Sequence, residues 1–503
     1  MKKLCFVVGQ HRSGTSALTG LLNAFGAKLG EGHVHEQDQW NVKGYFENKN
    51  FESFNEEILC NLGTFWSDVA PVKFSYDEES PMWSGAKIAL VDLLRKTLAS
   101  VEDGSLLVIK DPRISLLIGL YCAALKELTW EVDVSFIFSQ RDRQENIDSI
   151  VRRGALGRWG PNGEGVMTHA WAEAILARHE AVFEANFDYR HPMVYHTYSN
   201  LFYKLEPYMR HLDNLLNLGL DFSEKAIAEA STFLEHELRH ERHPRSCKVI
   251  ATYFGGRRRW PSGFEETRDM WSQILKLEKK NSPGDAMDTI VVLHEHGDQR
   301  AIDFVNSLDA LPTRFGLMKA LVRPWEDGVG ASFKSFNHAF STFREEYENW
   351  IFDEDNVLFV DHGYLLSAKR QMLGRNDVAF LGMMRCDARE VIMEDGKVTG
   401  GRLFTPQERA MFPSIWHCHG GCGFTTRKHL DEVVARFGSL PYAGMVKPGF
   451  PGDGLFEDHA WYRASERDGE VRFTTVYHQL GYKVLEIDHP RPITFYKYDN
   501  SYA

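Results

Sequence analysis

The amino-acid sequence predicts an α/β protein: a first unit built on a parallel sheet with helices on both faces, then a second α/β unit. Three observations carry this. Strand-length apolar runs alternate with segments of helical period. A glycine-rich turn stands between the first apolar run and the first helical face. The pattern breaks at 239–245, a charged stretch with a proline, and restarts with a new apolar run. A chain of 503 residues exceeds one ordinary core. The expected domains are 1–245 and 246–503.

Leu4 to Val8 reads as a buried strand. Leu18, Leu21, Leu22 and Phe25 follow at i, i+3, i+4 and i+7, one helical face, with Gly26 placed to cap it. Helical patterns fill 51–62 and 85–100. Leu106 to Ile109 is a second strand and Val132 to Phe138 a third, and helical patterns dominate from about 168 to 240. Beyond the break, Lys248 to Phe254, Asp288 to Leu293 and Asn356 to Val360 are strands with helical segments between them. No internal repeat and no low-complexity segment interrupts this order.

Composition narrows the partners. The formal net charge of −12 argues against nucleic acid, while leaving room for a local basic pocket. Met1-Lys2-Lys3 before Leu4 to Val8 mimics the start of a signal peptide, but His11 and Arg12 end the apolar run too soon. No run approaches the ~20 apolar residues of a transmembrane segment. Seven scattered cysteines suit a reducing compartment, and the expected location is the cytoplasm.

The turn reads Val8-Gly9-Gln10-His11-Arg12-Ser13-Gly14-Thr15-Ser16. It nearly fits the phosphate-loop pattern G-x-x-x-x-G-K-[ST], with Thr15 where the lysine belongs. After a strand, the amides of such a turn and of a helix N-terminus make an anion site. Arg12 places a cation inside the loop, and its planar fork grips phosphate or sulfate in two-pronged fashion. A hydrolase that needs the lysine on its β/γ-phosphates would be crippled here, whereas a site for another anion would not.

Three further stretches accompany the loop. Lys110-Asp111-Pro112-Arg113 follows the second strand. Arg141 follows the third, with Ser149 eight residues on and Arg152 and Arg153 beyond. Asn41-Val42-Lys43-Gly44-Tyr45-Phe46-Glu47-Asn48 lies after the first helix. Together they resemble sulfotransferases that use 3′-phosphoadenylyl sulfate (PAPS), with the closest likeness to bacterial carbohydrate- and lipid-type members. The resemblance covers roughly residues 1–245. It implies that Arg12, Ser13, Gly14, Thr15 and Ser16 hold the 5′-phosphosulfate, with Lys110 also at the donor, and that Arg141 and Ser149 hold the 3′-phosphate. Glu47 is the candidate base for the acceptor hydroxyl, and His33 and His35 compete for that role. Arg12 and the loop would stabilise charge on the transferring group. No metal is required for this step in the family.

In the second half, Asn356 to Val360 ends in Asp361-His362-Gly363. Cys418-His419-Gly420-Gly421-Cys422-Gly423-Phe424-Thr425-Thr426-Arg427 follows, and later Gly454-Leu455-Phe456-Glu457-Asp458-His459. A glycine pair, a helix with an early arginine and an acidic pair opening another helix resemble inverting glycosyltransferases of the GT-A fold. The resemblance implies a nucleotide-sugar donor, a carbohydrate or glycolipid acceptor, and Mn²⁺ or Mg²⁺ on the donor diphosphate. Asp361 matches the first residue of a D-x-D motif and Gly363 stands where the second belongs; His362, or His489 in Ile487-Asp488-His489, is the compensating ligand. Asp458, or Glu457, is the candidate base. Arg257, within Gly255-Gly256-Arg257-Arg258-Arg259, is placed to meet the nucleotide, with Glu295 or Asp298 reading its base or ribose. His417, Cys418, His419 and Cys422 include soft metal ligands, but no second ligand pair lies near enough for a structural zinc site.

Overall fold

Lys2–Gly9 (β1) is buried from Leu4 through Val8 with no polar alternate, so both of its faces must be covered. The computed structural model shows how. It describes residues 2–34, 41, 43–69, 72–128, 132–154, 167–234, 245–254, 263–295, 297–324, 331–355, 357–383, 385–387, 389–394, 397–403, 416–418, 422–441, 473, 476–477, 479–489 and 492–495. These fall into two units, Met1–His243 with Pro312–Gly316, and Pro244–Leu311 with Leu317–Ala503.

In the first unit, α1 (Thr15–Ala24) follows β1, and a short antiparallel pair, β2 (His33–Val34) and β3 (Glu47–Asn48), leads into α2 (Lys49–Asn61). The Asn48 side chain caps α2 by accepting from the Asn50 amide at 3.1 Å. Pro81 opens α3 (Pro81–Ala99), where its missing N–H costs no helical bond. Then come β4 (Leu106–Lys110), α4 (Ile114–Leu125), β5 (Val132–Gln140), α5 (Arg143–Gly154), α6 (His169–Asn186), β6 (Met193–Thr197), α7 (Leu205–Leu216) and α8 (Glu224–Phe233). α4 is apolar nearly all round because it lies inside, packed on α3 and α6. The sheet order is β4-β1-β5-β6, and every pairing is parallel.

β6 corrects the sequence reading, which ran helix through this region. Met193-Val194-Tyr195-His196-Thr197 is short and only half-buried on its N-terminal side, as an edge strand is, so it shows no apolar run. The order has a functional consequence. The chain leaves β1 for β4 on one side and returns to β5 on the other, which opens a crevice at the carboxyl ends of β1 and β5, the place where open α/β sheets bind ligands.

The second unit runs β7 (Ser246–Thr252), α9 (Phe264–Lys280), β8 (Asp288–Glu295), α10 (Gln299–Ser307), β9 (Met318–Pro324), α11 (Ala331–Phe343), β10 (Asn349–Glu354), β11 (Val357–Phe359), α12 (Tyr364–Met372) and β12 (Val378–Gly382). Short strands β13 (Arg385–Asp387), β14 (Arg389–Glu394), β15 (Lys397–Leu403) and β16 (Trp416–Cys418) follow. Then come β17 (Gly423–Thr426), the helix Arg427–Phe437, β18 (Lys483–Glu486) and β19 (Ile493–Phe495). A seven-stranded mixed sheet has the order β18-β12-β17-β10-β7-β8-β9, with β17 antiparallel to both neighbours. The strand expected at Asn356 to Val360 is the three-residue β11. It stands outside this sheet and pairs with β19. The sheet strand is β10, directly upstream. Among the described residues no helix is long and apolar enough to cross a membrane.

Burial leaves His179 and His196 of the first unit neutral. It lowers His179 to about 4, partly opposed by the Trp66 carbonyl, and His196 to about 3. Between these values and the ~6.5 of a solvated imidazole, the unfolded chain binds more protons than the folded one. Stability is therefore complete above about pH 6.5 and declines as the pH falls toward 4, by on the order of 3 kcal/mol for His179. Urea unfolding at pH 7.5 and pH 4.5 should show this decline, and His179→Gln should flatten it.

Candidate active site

Two close approaches shape the loop after β1. Gly9 has φ 143° and faces Ser139 of β5, and a Cβ there would sit 2.1 Å from the Ser139 carbonyl oxygen. Gly14, the N-cap of α1 at φ 95°, lies against the Tyr198 ring, which a Cβ would meet at 2.5 Å. Between them Ser13 Oγ donates to the Gln10 carbonyl at 2.7 Å, and Ser139 Oγ donates to the Ser13 carbonyl at 3.0 Å. Thr15 begins α1, and its carbonyl accepts from Thr19 Oγ1. Arg12 occupies the left-handed region at φ 67°, a conformation that a non-glycine residue holds only when its surroundings impose it. From there its Nε donates to Ser149 Oγ on α5 at 3.0 Å.

Arg141 follows β5 directly. Its Nε donates to Glu145 Oε2 at 3.0 Å, and its guanidinium lies 4.9 Å from the centre of the Tyr198 ring. The structure thus brings Arg12 and Ser149 into contact and links Arg141 to Gly14 through Tyr198. Arg12, Gly14, Arg141 and Tyr198 stand just past the carboxyl ends of β1, β5 and β6, and Ser149 reaches them from α5. Tyr198 and Glu145 went unremarked in the sequence. Tyr198 directly follows a strand that the pattern hid, and Glu145 reads as one more acidic residue at a helix start.

A second cluster adjoins the loop. Ser16 Oγ and Lys110 Nζ both donate to the Tyr45 carbonyl, at 3.1 and 3.0 Å. Lys110 Nζ also donates to Glu47 Oε1 at 2.6 Å. Burial works to raise the Glu47 pKa, but the Lys110 charge and hydrogen bond, with Arg113 and Arg153 behind, outweigh it and hold the carboxylate below its ordinary value. Arg113 bonds Asp111 at 3.0 Å and Glu56 at 2.9 Å, and meets Glu52 at 3.3 Å. Those carboxylates, with Glu47, raise its pKa against the effect of burial. Asn55 ties Asp111 to Tyr121. The Lys110–Arg113 turn is therefore a buried ionic joint between β4 and α2. His11 packs on Trp66 with ring centres 3.9 Å apart. Burial first, and then Arg113, His179, Arg153 and Lys110, push its pKa well below the normal imidazole value. His33 lies in β2 beside β3, the strand of Glu47, while His35 lies outside the described residues.

In the second unit, Arg257, Gly420, Gly421, Glu457 and Asp458 lie outside the described residues. Asp361 and His489 both engage His362: Asp361 Oδ1 accepts its amide at 2.8 Å, and His489 Nε2 meets its carbonyl at 2.7 Å. Asp361 follows β11, away from the carboxyl edge of the sheet. That edge carries Asp353-Glu354-Asp355, an acidic run at the end of β10 that sequence reading passed over. Its signal, Trp350-Ile351-Phe352 followed by three acids, was present. Asp355 Oδ2 accepts from Thr252 Oγ1 at 2.6 Å and from the Tyr253 amide at 3.2 Å. Glu354 accepts from Ser332, whose oxygen is 2.7 Å from the Tyr253 hydroxyl. Asp353 Oδ1 accepts from the Glu354 amide and from Cys422 Sγ; burial raises its pKa well above the carboxylate range against the pull of Lys248. Asp298 caps α10 and pairs with Arg300, and Glu295 accepts from the Gly297 amide.

A divalent cation needs several oxygen ligands converging on one point. The described residues contain no group of three His, Cys, Asp or Glu side chains so placed. The acids of β10 alternate between sheet faces and are engaged with protein donors. The donor set among the described residues is not an all-protein metal cage; a cation held on a donor diphosphate would draw on only one or two carboxylates.

No family model and no curated protein matches this chain. Among solved structures, a search finds similarity to the α/β-galactoside α-2,3-sialyltransferase of the luminous marine bacterium Photobacterium phosphoreum, at 10% identity over 64% of this chain and 79% of that one, with a TM-score of 0.16. That enzyme is a glycan-modifying transferase, and the likeness is too slight to bear on the activity here.

Removing the shared cation of the ionic joint should be costly. Arg113→Met leaves Asp111, Glu47 and Glu52 as partly or fully buried carboxylates and should destabilise the first unit by about 3–5 kcal/mol, read as a lowered urea midpoint.

Proposed function

We propose that the first unit transfers a sulfuryl group from PAPS to a hydroxyl of a carbohydrate or glycolipid acceptor. The observation that supports this most is the Arg12–Ser149 hydrogen bond at 3.0 Å. It joins a cation inside a lysine-free phosphate loop to the serine expected at the far phosphate of the same nucleotide. In this reading the amides of the loop and the helix N-terminus hold the 5′-phosphosulfate, with Ser13, Gly14, Thr15 and Ser16 shaping the cradle. Arg141 and Ser149 take the 3′-phosphate.

The acceptor oxygen attacks sulfur, and the bond from sulfur to the 5′-phosphate oxygen breaks. The electron pair leaves with adenosine 3′,5′-bisphosphate, and the acceptor proton passes to Glu47. Lys110 keeps Glu47 ionised through a 2.6 Å hydrogen bond, and the same charge makes it a weaker base than a free carboxylate. Arg12 stabilises charge on the sulfuryl oxygens and the leaving phosphate.

For the second unit we propose sugar transfer from a nucleotide-sugar donor. Its support is the sheet itself: the carboxyl ends of β7, β8 and β10 lie side by side, with Tyr253, His294 and the acids of β10 among them. Asp458 or Glu457 is the base in this reading, and Arg257 meets the nucleotide.

Adenosine 3′,5′-bisphosphate should raise the thermal midpoint of the full chain more than ATP with Mg²⁺ does, and Arg12→Ala should abolish the shift. Glu47→Gln should keep the shift while slowing sulfuryl transfer from labelled PAPS, followed by mass over a glycan library, by about 10²–10⁴-fold. A preference for ATP would overturn the donor. For the second unit, a nucleotide-sugar panel with and without Mn²⁺ should show turnover that Asp458→Asn removes.

A further inference from the structure

We propose that α5, acting through Glu145 and Ser149 on one face and aided by Tyr198, serves as a ruler that sets the spacing of Arg12 and Arg141. In this way it selects donors carrying an anion at both ends. The inference rests on the reading that the first unit binds PAPS, and deepens it by naming the positioning residues.

Glu145 and Ser149 are four apart on α5 and so share a helix face one turn apart. Glu145, 1% exposed, holds Arg141 at Nε. Ser149 holds Arg12 at Nε. Each arginine is thus gripped at the same atom of its planar fork, which fixes where the rest of the guanidinium points.

Tyr198 closes the frame from the opposite strand. It begins a 3-10 turn directly after β6. Its ring leaves no room for a side chain at Gly14 and also faces the Arg141 guanidinium at 4.9 Å. Phe202 packs edge-on against it, with ring centres 5.3 Å apart. The loop, Arg141 and α5 are therefore held to one another on two sides. A nucleotide with one anionic end satisfies only the loop. One with anions at both 5′ and 3′ positions satisfies the whole frame.

The test is binding of adenosine 3′,5′-bisphosphate and of 5′-AMP to the full chain by calorimetry, for the wild type, Glu145→Gln, Tyr198→Ala and Tyr198→Phe. The wild type should prefer the bisphosphate. Glu145→Gln should weaken the bisphosphate roughly tenfold or more, the scale of one charge-assisted hydrogen bond, while 5′-AMP stays unchanged; Tyr198→Ala, which also frees the loop at Gly14, should weaken both nucleotides. Tyr198→Phe should retain the wild-type ratio. A parallel loss for both nucleotides in Glu145→Gln, or an unchanged ratio there, would overturn the ruler. If Tyr198→Ala fails to fold, the near-isosteric Glu145→Gln decides. A wild type that binds neither nucleotide would instead overturn the PAPS reading itself.

Discussion

Gly9 passes so close to the Ser139 carbonyl, and Gly14 so close to the Tyr198 ring, that neither position has space for a single extra carbon. These two contacts press the turn after β1 down onto the carboxyl edge of the sheet, between β5 and the residues that follow β6. Between these two contacts the backbone at Arg12 is left-handed, and its side chain reaches Ser149 on α5. The topology supplies the other half of the arrangement. Because β4 and β5 flank β1 on opposite sides, the loop opens at the crevice where the sheet reverses its order, and the residues after β5 meet it there.

Charge in the first unit is sorted by burial. Lys110 and Arg113 are nearly enclosed, and each carries its own carboxylates, so they act as structural joints between β4, β3 and α2. Arg141 is nearly as enclosed as Arg113 and likewise carries a carboxylate, whereas Arg12 is anchored on a hydroxyl. Ser149 brings no charge to Arg12, and Glu145 brings one to Arg141 from a buried position. The imidazole of His11, crowded by cations, stays neutral and adds no further positive charge beside the loop. Glu47 stands where the two sets meet and remains a carboxylate because Lys110 is within hydrogen-bonding distance. One small region thus gathers cations around an ionised acid. This is the combination that transfer of an anionic group to a hydroxyl requires.

Much of this region was legible in the sequence because its signals are local. A five-residue apolar run, two spaced glycines and an arginine between them mark strand, turn and helix without reference to anything distant. Lys110 to Arg113 and Arg141 were found because each follows an apolar strand. What stayed hidden depends on pairing. β6 is an edge strand whose polar Tyr195 and His196 mask it, so Tyr198 was passed over. Val357-Leu358-Phe359 looked like a sheet strand, yet its partner is Ile493–Phe495, more than a hundred residues away. The neighbouring Trp350-Ile351-Phe352 is the true sheet strand, and its acids, not Asp361, reach the carboxyl edge. Two adjacent apolar runs that both end in acid cannot be ranked by composition. Only the strands they pair with distinguish them.

The central claim is that the loop holding Arg12 and the segment holding Arg141 bind opposite ends of one nucleotide. A crystal structure of the chain with adenosine 3′,5′-bisphosphate tests it most directly. The account predicts the 5′-phosphate on the amides between Gly9 and Ser16 with Arg12 alongside, and the 3′-phosphate within hydrogen-bonding distance of Arg141 and Ser149. A nucleotide bound in the loop with its 3′-phosphate in solvent, or bound away from the loop altogether, would contradict it.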